Sequence, residues 1–295
     1  MIPKNFQYLC DLLYQRSGLV LSDNKAYLVE SRLMPFVRQK NMESLDDFVE
    51  IIQRDKDESL LREITDAMTT NESFFFRDGK PFKIFQESIL PALIENRSGT
   101  KKIRIWSAAA ATGQEPYTLA MLLKEEEAKL GKREIEIIGT DISDESLKRA
   151  REGLYTQFEV QRGLPIQLLV KYFSQESNNQ WRVNEDIRKM VSLRHMNLLG
   201  DLSILGTFDI VFCRNVLIYF DQPTKIQVLE KISKRMERDG VLFLGGAETV
   251  LGISDSFKPM SGARGAYGMG GSDGVVGMVA ALSSVPATQQ SASHA

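Results

Sequence analysis

Hydrophobic positions recur at helical spacing through about the first seventy residues. Phe6, Leu9, Cys10 and Leu13 fall at i, i+3, i+4 and i+7, which gives a first helix one apolar face. A second helix is expected after Ser22, with Ala26, Val29, Leu33 and Val37 along one stripe and Pro35 kinking or shortening it. Ser44 is a suitable N-cap for a third helix carrying Leu45, Phe48, Val49 and Ile52. Asp57 opens a fourth, with Leu60, Leu61, Ile64, Ala67 and Met68 on its inner side. No strand pattern interrupts this run, so residues 1–72 are predicted to form a small all-α domain.

The period changes after Thr69. Lys102–Ala108, Glu134–Gly139, Phe208–Cys213 and Val241–Gly245 are short β-type runs, separated by helical patterns after Pro116, Ser143 and Pro223. Strand-then-helix alternation predicts an α/β domain over 73–270, with a mainly parallel sheet and helices on both faces. Between Gln167 and Met196 the rhythm breaks, and QLLVKYF and QWRVNE flank the polar run SQESNN. Residues 166–196 are therefore expected to form a small antiparallel insertion. A closing hairpin is expected near Tyr267, and the Gly/Ser/Ala-rich tail 271–295 is expected to be disordered.

Composition narrows the chemistry. The 295 residues carry 37 Lys+Arg against 39 Asp+Glu, a formal net charge of −2, which excludes a nucleic-acid binder that relies on bulk positive charge. His195 and His294 are too few for a His-rich zinc site or a His-based nucleophilic triad, and no metal is expected. Cys10 and Cys213 lack metal-ligand spacing and cannot build a disulfide framework, which suits a reducing compartment. No apolar run approaches the ~20 residues of a membrane span, and the start MIPKNFQYLCDLLYQ lacks the form of a secretory signal. A cytoplasmic monomer that neither enters the membrane nor binds nucleic acid is expected.

In open parallel sheets ligands bind beyond the carboxyl ends of the strands. After the first strand comes SAAAATGQEPY, residues 107–117, whose small residues let a ligand lie against the backbone. An Ala-rich turn packing a helix on the sheet is an equal alternative, and no G-x-G-x-x-G fingerprint is present. The second strand ends in GTDIS, where Asp141 can accept from ribose hydroxyls or, with Ser143, cap the next helix. Together these features point to a nucleoside cofactor without a diphosphate, S-adenosylmethionine (SAM) first. TTNESFFFR places Asn71, Ser73 and Arg77 where two domains meet, and FDIVFCRNVLIYF brings Arg214, Asn215 and Tyr219 to a strand end.

TTNESFFFR, WSAAAATGQEPYTLAM, GTDIS, EVQRGLP, FDIVFCRNVLIYF and DGVLFLGGAETV together resemble the chemotaxis receptor methyltransferases, the CheR family, from Asn5 to Tyr267. The resemblance implies a Rossmann-like SAM-dependent methyltransferase domain with a small β-subdomain, preceded by an all-α domain. It also implies methylation of glutamate side chains on the cytoplasmic helical bundle of methyl-accepting chemoreceptors, giving glutamyl methyl esters and S-adenosylhomocysteine. By position, it assigns the cofactor to Asn71, Ser73, Arg77, Glu115, Asp141, Asn197, Leu198, Arg214 and Asn215, with Arg77 and Tyr219 near methyl transfer. Whether Arg77 orients the substrate or the cofactor stays open, as does the choice of hydroxyl donor or aromatic wall for Tyr219. Gln114 stands where many members have Glu, and Ala109 to Ala111 replace a Gly/Cys/Ser-type trio. Glu115 is intact, and the small side chains are kept.

The loop SQESNNQW is shorter than in members that grip a tethering pentapeptide and contains no glycine, which implies a pentapeptide-independent enzyme. Residues 16–40 carry a local charge of +3, whereas residues 43–75 carry −7. Lys25, Arg32 and Arg38 are thus candidates for contact with acidic receptor helices, a solvated helix face being the alternative. A substrate carboxylate with a pKa of about 4.3 is already ionised at neutral pH, so scarce His and Cys suit such a reaction. A catalytically silent SAM-sensing or receptor-binding module, or an enzyme for a non-receptor acceptor, are the competing possibilities.

Overall fold

The computed structural model describes residues 5–97 and 102–270, so the tail expected to be disordered lies outside the described residues. Helices α1 (Phe6–Ser17), α2 (Ala26–Gln39), α3 (Leu45–Asp55) and α4 (Glu58–Met68) enclose one apolar core. Leu9, Leu13, Val29, Leu33, Phe48, Val49 and Ile64 are all fully buried in it. The helix starts follow local chemistry. Ser44 Oγ accepts from the Asp47 N–H at 3.1 Å, and an Asp57 carboxylate oxygen accepts from the Ser59 N–H at 2.9 Å. Pro35 does not end α2, which continues to Gln39. Pro35 and Ser31 are both exposed, so the carbonyl that loses its intrahelical donor faces water.

A helical stretch follows the linker: α5 (Lys80–Ile84), a π-helical turn at Phe85–Ile89 and α6 (Leu90–Asn96). The α/β domain then runs β1 (Ile103–Ala108), α7 (Gln114–Glu125), α8 (Glu127–Leu130), β2 (Ile135–Asp141) and α9 (Asp144–Glu152). Next come β3 (Leu154–Thr156), α10 (Gln157–Gln161), α11 (Ile166–Tyr172), β4 (Phe173–Glu176), β5 (Gln180–Val183) and α12 (Glu185–Lys189). The chain closes with β6 (Val191–His195), β7 (Phe208–Cys213), α13 (Gln222–Ser233), β8 (Met236–Leu244), β9 (Phe257–Pro259) and β10 (Ala266–Met269). Seven strands form the main sheet in the order β6-β2-β1-β7-β8-β10-β9. Its first five members are parallel, and β10 runs antiparallel to both β8 and β9. From β1 the chain winds outward to β2 and β6, then returns to lay β7 and β8 on the other side. The strand order reverses between β1 and β7, and loops from both directions diverge there.

The antiparallel insertion differs from its expected limits of 166–196. Its sheet has the order β3-β5-β4 and takes its first strand from Leu154–Thr156, upstream of that range. Gln167 to Tyr172 are helical, because Leu169 and Tyr172 at i and i+3 turn to the core; a short apolar run does not declare its period. Val191–His195 belongs to the main sheet, paired with Ile137–Asp141 as a parallel edge strand. The two domains are stitched at several points. Asn197 Nδ2 donates to the Arg16 carbonyl at 2.6 Å, the Val20 N–H to the Tyr219 carbonyl at 3.1 Å, and the Tyr14 hydroxyl to Asp221 at 3.1 Å.

Candidate active site

Strand register sets the floor of the site. Ala108 is level with Thr140 on β2 and with Cys213 on β7, so the three loops that follow leave the sheet at one height. Together with the interdomain linker they surround a cleft that holds about 960 Å³ of empty space, open mouth included. Asn71, Ser73, Arg77, Glu115, Asp141, Asn197, Leu198, Arg214, Asn215 and Tyr219 all line it. Residues that come from five separate stretches of chain are thus brought to one cavity.

A buried ion network forms one wall. The Arg214 side chain is 1% exposed and donates to Glu115 at 2.8 Å, to Asp78 at 2.7 Å and to the Arg77 carbonyl at 2.7 Å. Ser107 Oγ donates to the other Glu115 oxygen at 2.8 Å. Across the cavity Asp141 accepts from the Ala111 N–H at 2.8 Å and the Ser143 N–H at 2.9 Å. Burial pushes its carboxyl above the usual carboxylate range, and these backbone donors pull the other way. Arg77 donates to the Glu72 carbonyl at 2.8 Å and leans over the Phe74 ring. Apolar Ile142, Met196, Leu198 and Phe220 complete the walls.

Backbone strain concentrates here. Phe76, Asp78, Ala109, Ala111 and Asn215 have φ between +49° and +67°, in the left-handed region that costs a non-glycine residue about 1–3 kcal/mol. Ala109, Ala111 and Asn215 line the cavity, and Phe76 and Asp78 flank Arg77. The Asn215 loop is held by Glu248, a residue without an assigned role in the sequence analysis. Its carboxylate accepts from the N–H groups of Asn215, Val216, Leu217 and Ile218, at 2.8, 2.9, 2.7 and 3.3 Å, and from Gly245 at 2.7 Å. A Cβ at position 245 would lie 2.7 Å from that carboxylate and 2.9 Å from the Asn215 nitrogen, so only glycine permits the approach.

Other lining residues carry no motif. Ser17, the last residue of α1, and Leu19, from the loop that follows, reach the cavity because the helical domain docks beside it. Arg32 is half-buried and is committed to the linker, donating to the Met68 and Thr69 carbonyls at 2.7 and 3.0 Å and to Thr70 at 3.0 Å. Lys25 and Arg38 are exposed. Gln114, the departure from the family pattern, accepts from the Thr112 hydroxyl at 2.8 Å outside the cavity lining. Among the described residues, no group of three or more His, Cys, Asp or Glu could hold a metal, and no helix is long and apolar enough to cross a membrane.

Comparison with known proteins covers both domains. Residues 4–69 match the CheR methyltransferase all-alpha domain, and residues 71–266 match the CheR methyltransferase SAM binding domain. Chemotaxis protein methyltransferase 1 of Pseudomonas aeruginosa is 40% identical over 257 residues, which are 86% of this chain and 93% of that protein. Chemotaxis protein methyltransferase Cher2 of Pseudomonas putida is 38% identical over the same shares of each chain. The helical domain, the parallel sheet with its switch-point cavity and these matches together place the chain in the CheR family of SAM-dependent methyltransferases.

Proposed function

We propose that the enzyme methylates glutamate side chains on the cytoplasmic helical bundle of chemoreceptors, working in the cytoplasm as a monomer. One observation carries the choice of acceptor. The cavity's two buried carboxylates, Glu115 and Asp141, are already engaged by neighbouring donors, while Arg77 presents a planar fork suited to a carboxylate. An acceptor that arrives ionised fits this arrangement, because no group needs to remove its proton.

The donor set fits SAM. Asp141 at the end of β2 suits ribose hydroxyls, and Glu115 suits the ammonium of the amino-acid end. Ile142, Met196 and Leu198 offer apolar walls to the base, with Asn71, Ser73, Asn197, Arg214 and Asn215 supplying polar contacts. Bound there, the cofactor supplies a methyl group on a sulfonium, already activated for transfer. Arg77 and Tyr219 then align the acceptor carboxylate, and the linker and the Asn215 loop exclude water. Tritiated SAM with purified receptor cytoplasmic domains tests the acceptor. Base-labile release of labelled methanol is expected, and a base-stable product refutes a carboxyl ester.

The receptor contact is proposed on α2 and on Lys25, the residue that caps its start. With Arg32 committed to the linker, the contact rests on Lys25 and Arg38. Lys25→Glu with Arg38→Glu is expected to raise the KM for receptor about threefold or more at low salt, and less at high salt. An unchanged KM at both salt concentrations argues for a merely solvated face. Pentapeptide independence is supported by the connection between β4 and β5, where Glu176 pairs with Gln180 and the turn contains Asn178 and Asn179 at φ 60° and 55°. Titration calorimetry with a receptor tail pentapeptide is expected to give no binding heat, and a saturable heat contradicts this.

A further inference from the structure

Arg162 lies in the EVQRGLP string, in the turn between α10 and α11, outside the cavity lining. Its guanidinium carbon nevertheless stands 4.3 Å from the centre of the Phe74 ring, and one of its nitrogens is 2.7 Å from a Glu72 carboxylate oxygen. The Arg77 guanidinium lies against the same ring, 5.4 Å from its centre. The turn is pinned to this segment. Gly163 has a φ of +91°, and a Cβ there would fall 2.3 Å from the Phe75 carbonyl oxygen, so a side chain would drive the turn away.

Glu72 matters because of where it stands. It lines the cavity beside Arg77, and its side chain is 60% exposed. An unpaired carboxylate at that place repels an anionic acceptor approaching Arg77. Arg162 supplies the compensating charge from the β-subdomain and leaves the cavity itself clear.

We propose that Arg162 is a specificity-determining residue that pairs with Glu72 and so sets the charge of the cavity mouth to admit a carboxylate. The β-subdomain thereby takes part in choosing the acceptor without touching the cofactor. The proposal rests on the glutamate acceptor proposed above. An exposed ion pair contributes little to folding, so the effect belongs in receptor KM rather than in melting temperature.

The test uses the full-length enzyme, a receptor cytoplasmic fragment and base-labile methanol release. Arg162→Ala is expected to raise the receptor KM about three- to tenfold at low salt, with a smaller rise at high salt. Its kcat and its affinity for S-adenosylhomocysteine are expected to stay close to wild type, because Arg162 lies outside the cavity lining. Adding Glu72→Gln to Arg162→Ala removes the uncompensated carboxylate and returns the KM towards wild type. Arg162→Lys keeps the charge and holds the KM close to wild type. An unchanged KM in Arg162→Ala, or a rise that Glu72→Gln fails to reverse, overturns the proposal; the second result assigns Arg162 to ring packing alone. If wild type itself forms no base-labile product on receptors, the acceptor assignment fails first and takes this proposal with it.

Discussion

Arg77→Ala and Tyr219→Phe are each expected to lower methyl transfer about 10²-fold, the scale set by mispositioned reactants, while unfolding on heating as wild type does. Tyr219 belongs to the loop after β7, and Arg77 to the linker between domains; both line the cavity and neither is fully buried. Their loss removes groups that align a carboxylate, not groups that hold the core. Steady-state rates with labelled SAM, beside a thermal melt, separate the two effects. Wild-type turnover in both variants would sink the assignment. Glu248→Ala reaches a comparable loss by another route. It leaves five backbone N–H groups without their acceptor, so the loop bearing Asn215 and Tyr219 is released. Glu248→Ala is therefore expected to lower the melting temperature as well, which distinguishes it from Tyr219→Phe.

The largest loss of stability is expected from Arg214→Ala. Breaking a buried ion pair from one side costs about 3–5 kcal/mol, because the partner's charge stays behind. Here that partner is Glu115, which would keep only Ser107 as a donor, in a wall where the Arg214 side chain is 1% exposed. Asp78 and the Arg77 carbonyl lose their donor in the same step, so the linker loosens beside the cavity. Urea unfolding reads the stability, and calorimetry with S-adenosylhomocysteine reads the cofactor site, where binding should fall below detection. Arg214→Lys is not expected to rescue either, since one ammonium cannot replace a fork that spans Glu115 and Asp78. Wild-type stability in Arg214→Ala would mean that the network is fully solvated in solution.

The legible part of this protein is the part written in local periodicity and local strings. Val29, Leu33 and Val37 announce one face of α2, and the Ser44 and Asp57 caps announce where α3 and α4 start, because these depend on neighbours within a few residues. Phe208–Cys213 is apolar at every position but Asp209 and therefore reads as a buried parallel strand. Asp141 and Arg214 stand out because polar groups directly after such strands end at the ligand edge of the sheet. Gln167–Tyr172 and Val191–His195 do not show their place in local pattern. The first is too short to show its period, and the second is half-buried on a sheet edge, so its membership depends on β2 beside it.

Sequence by itself determined the helical domain, the α/β order of the second domain, the family and the strings that meet at the cavity. Only the tertiary structure decided which side chains those strings would satisfy. Arg32 has the charge of a docking residue, yet it is taken by linker carbonyls some 36 positions away in sequence. Glu248 looks like one more surface acid until the β7 and β8 loops close on it. Arg162 gains its place only when a glycine lets one turn press on Phe75. Periodicity is a property of neighbours along the chain, whereas a carboxylate's partners depend on which distant segments the fold packs against it.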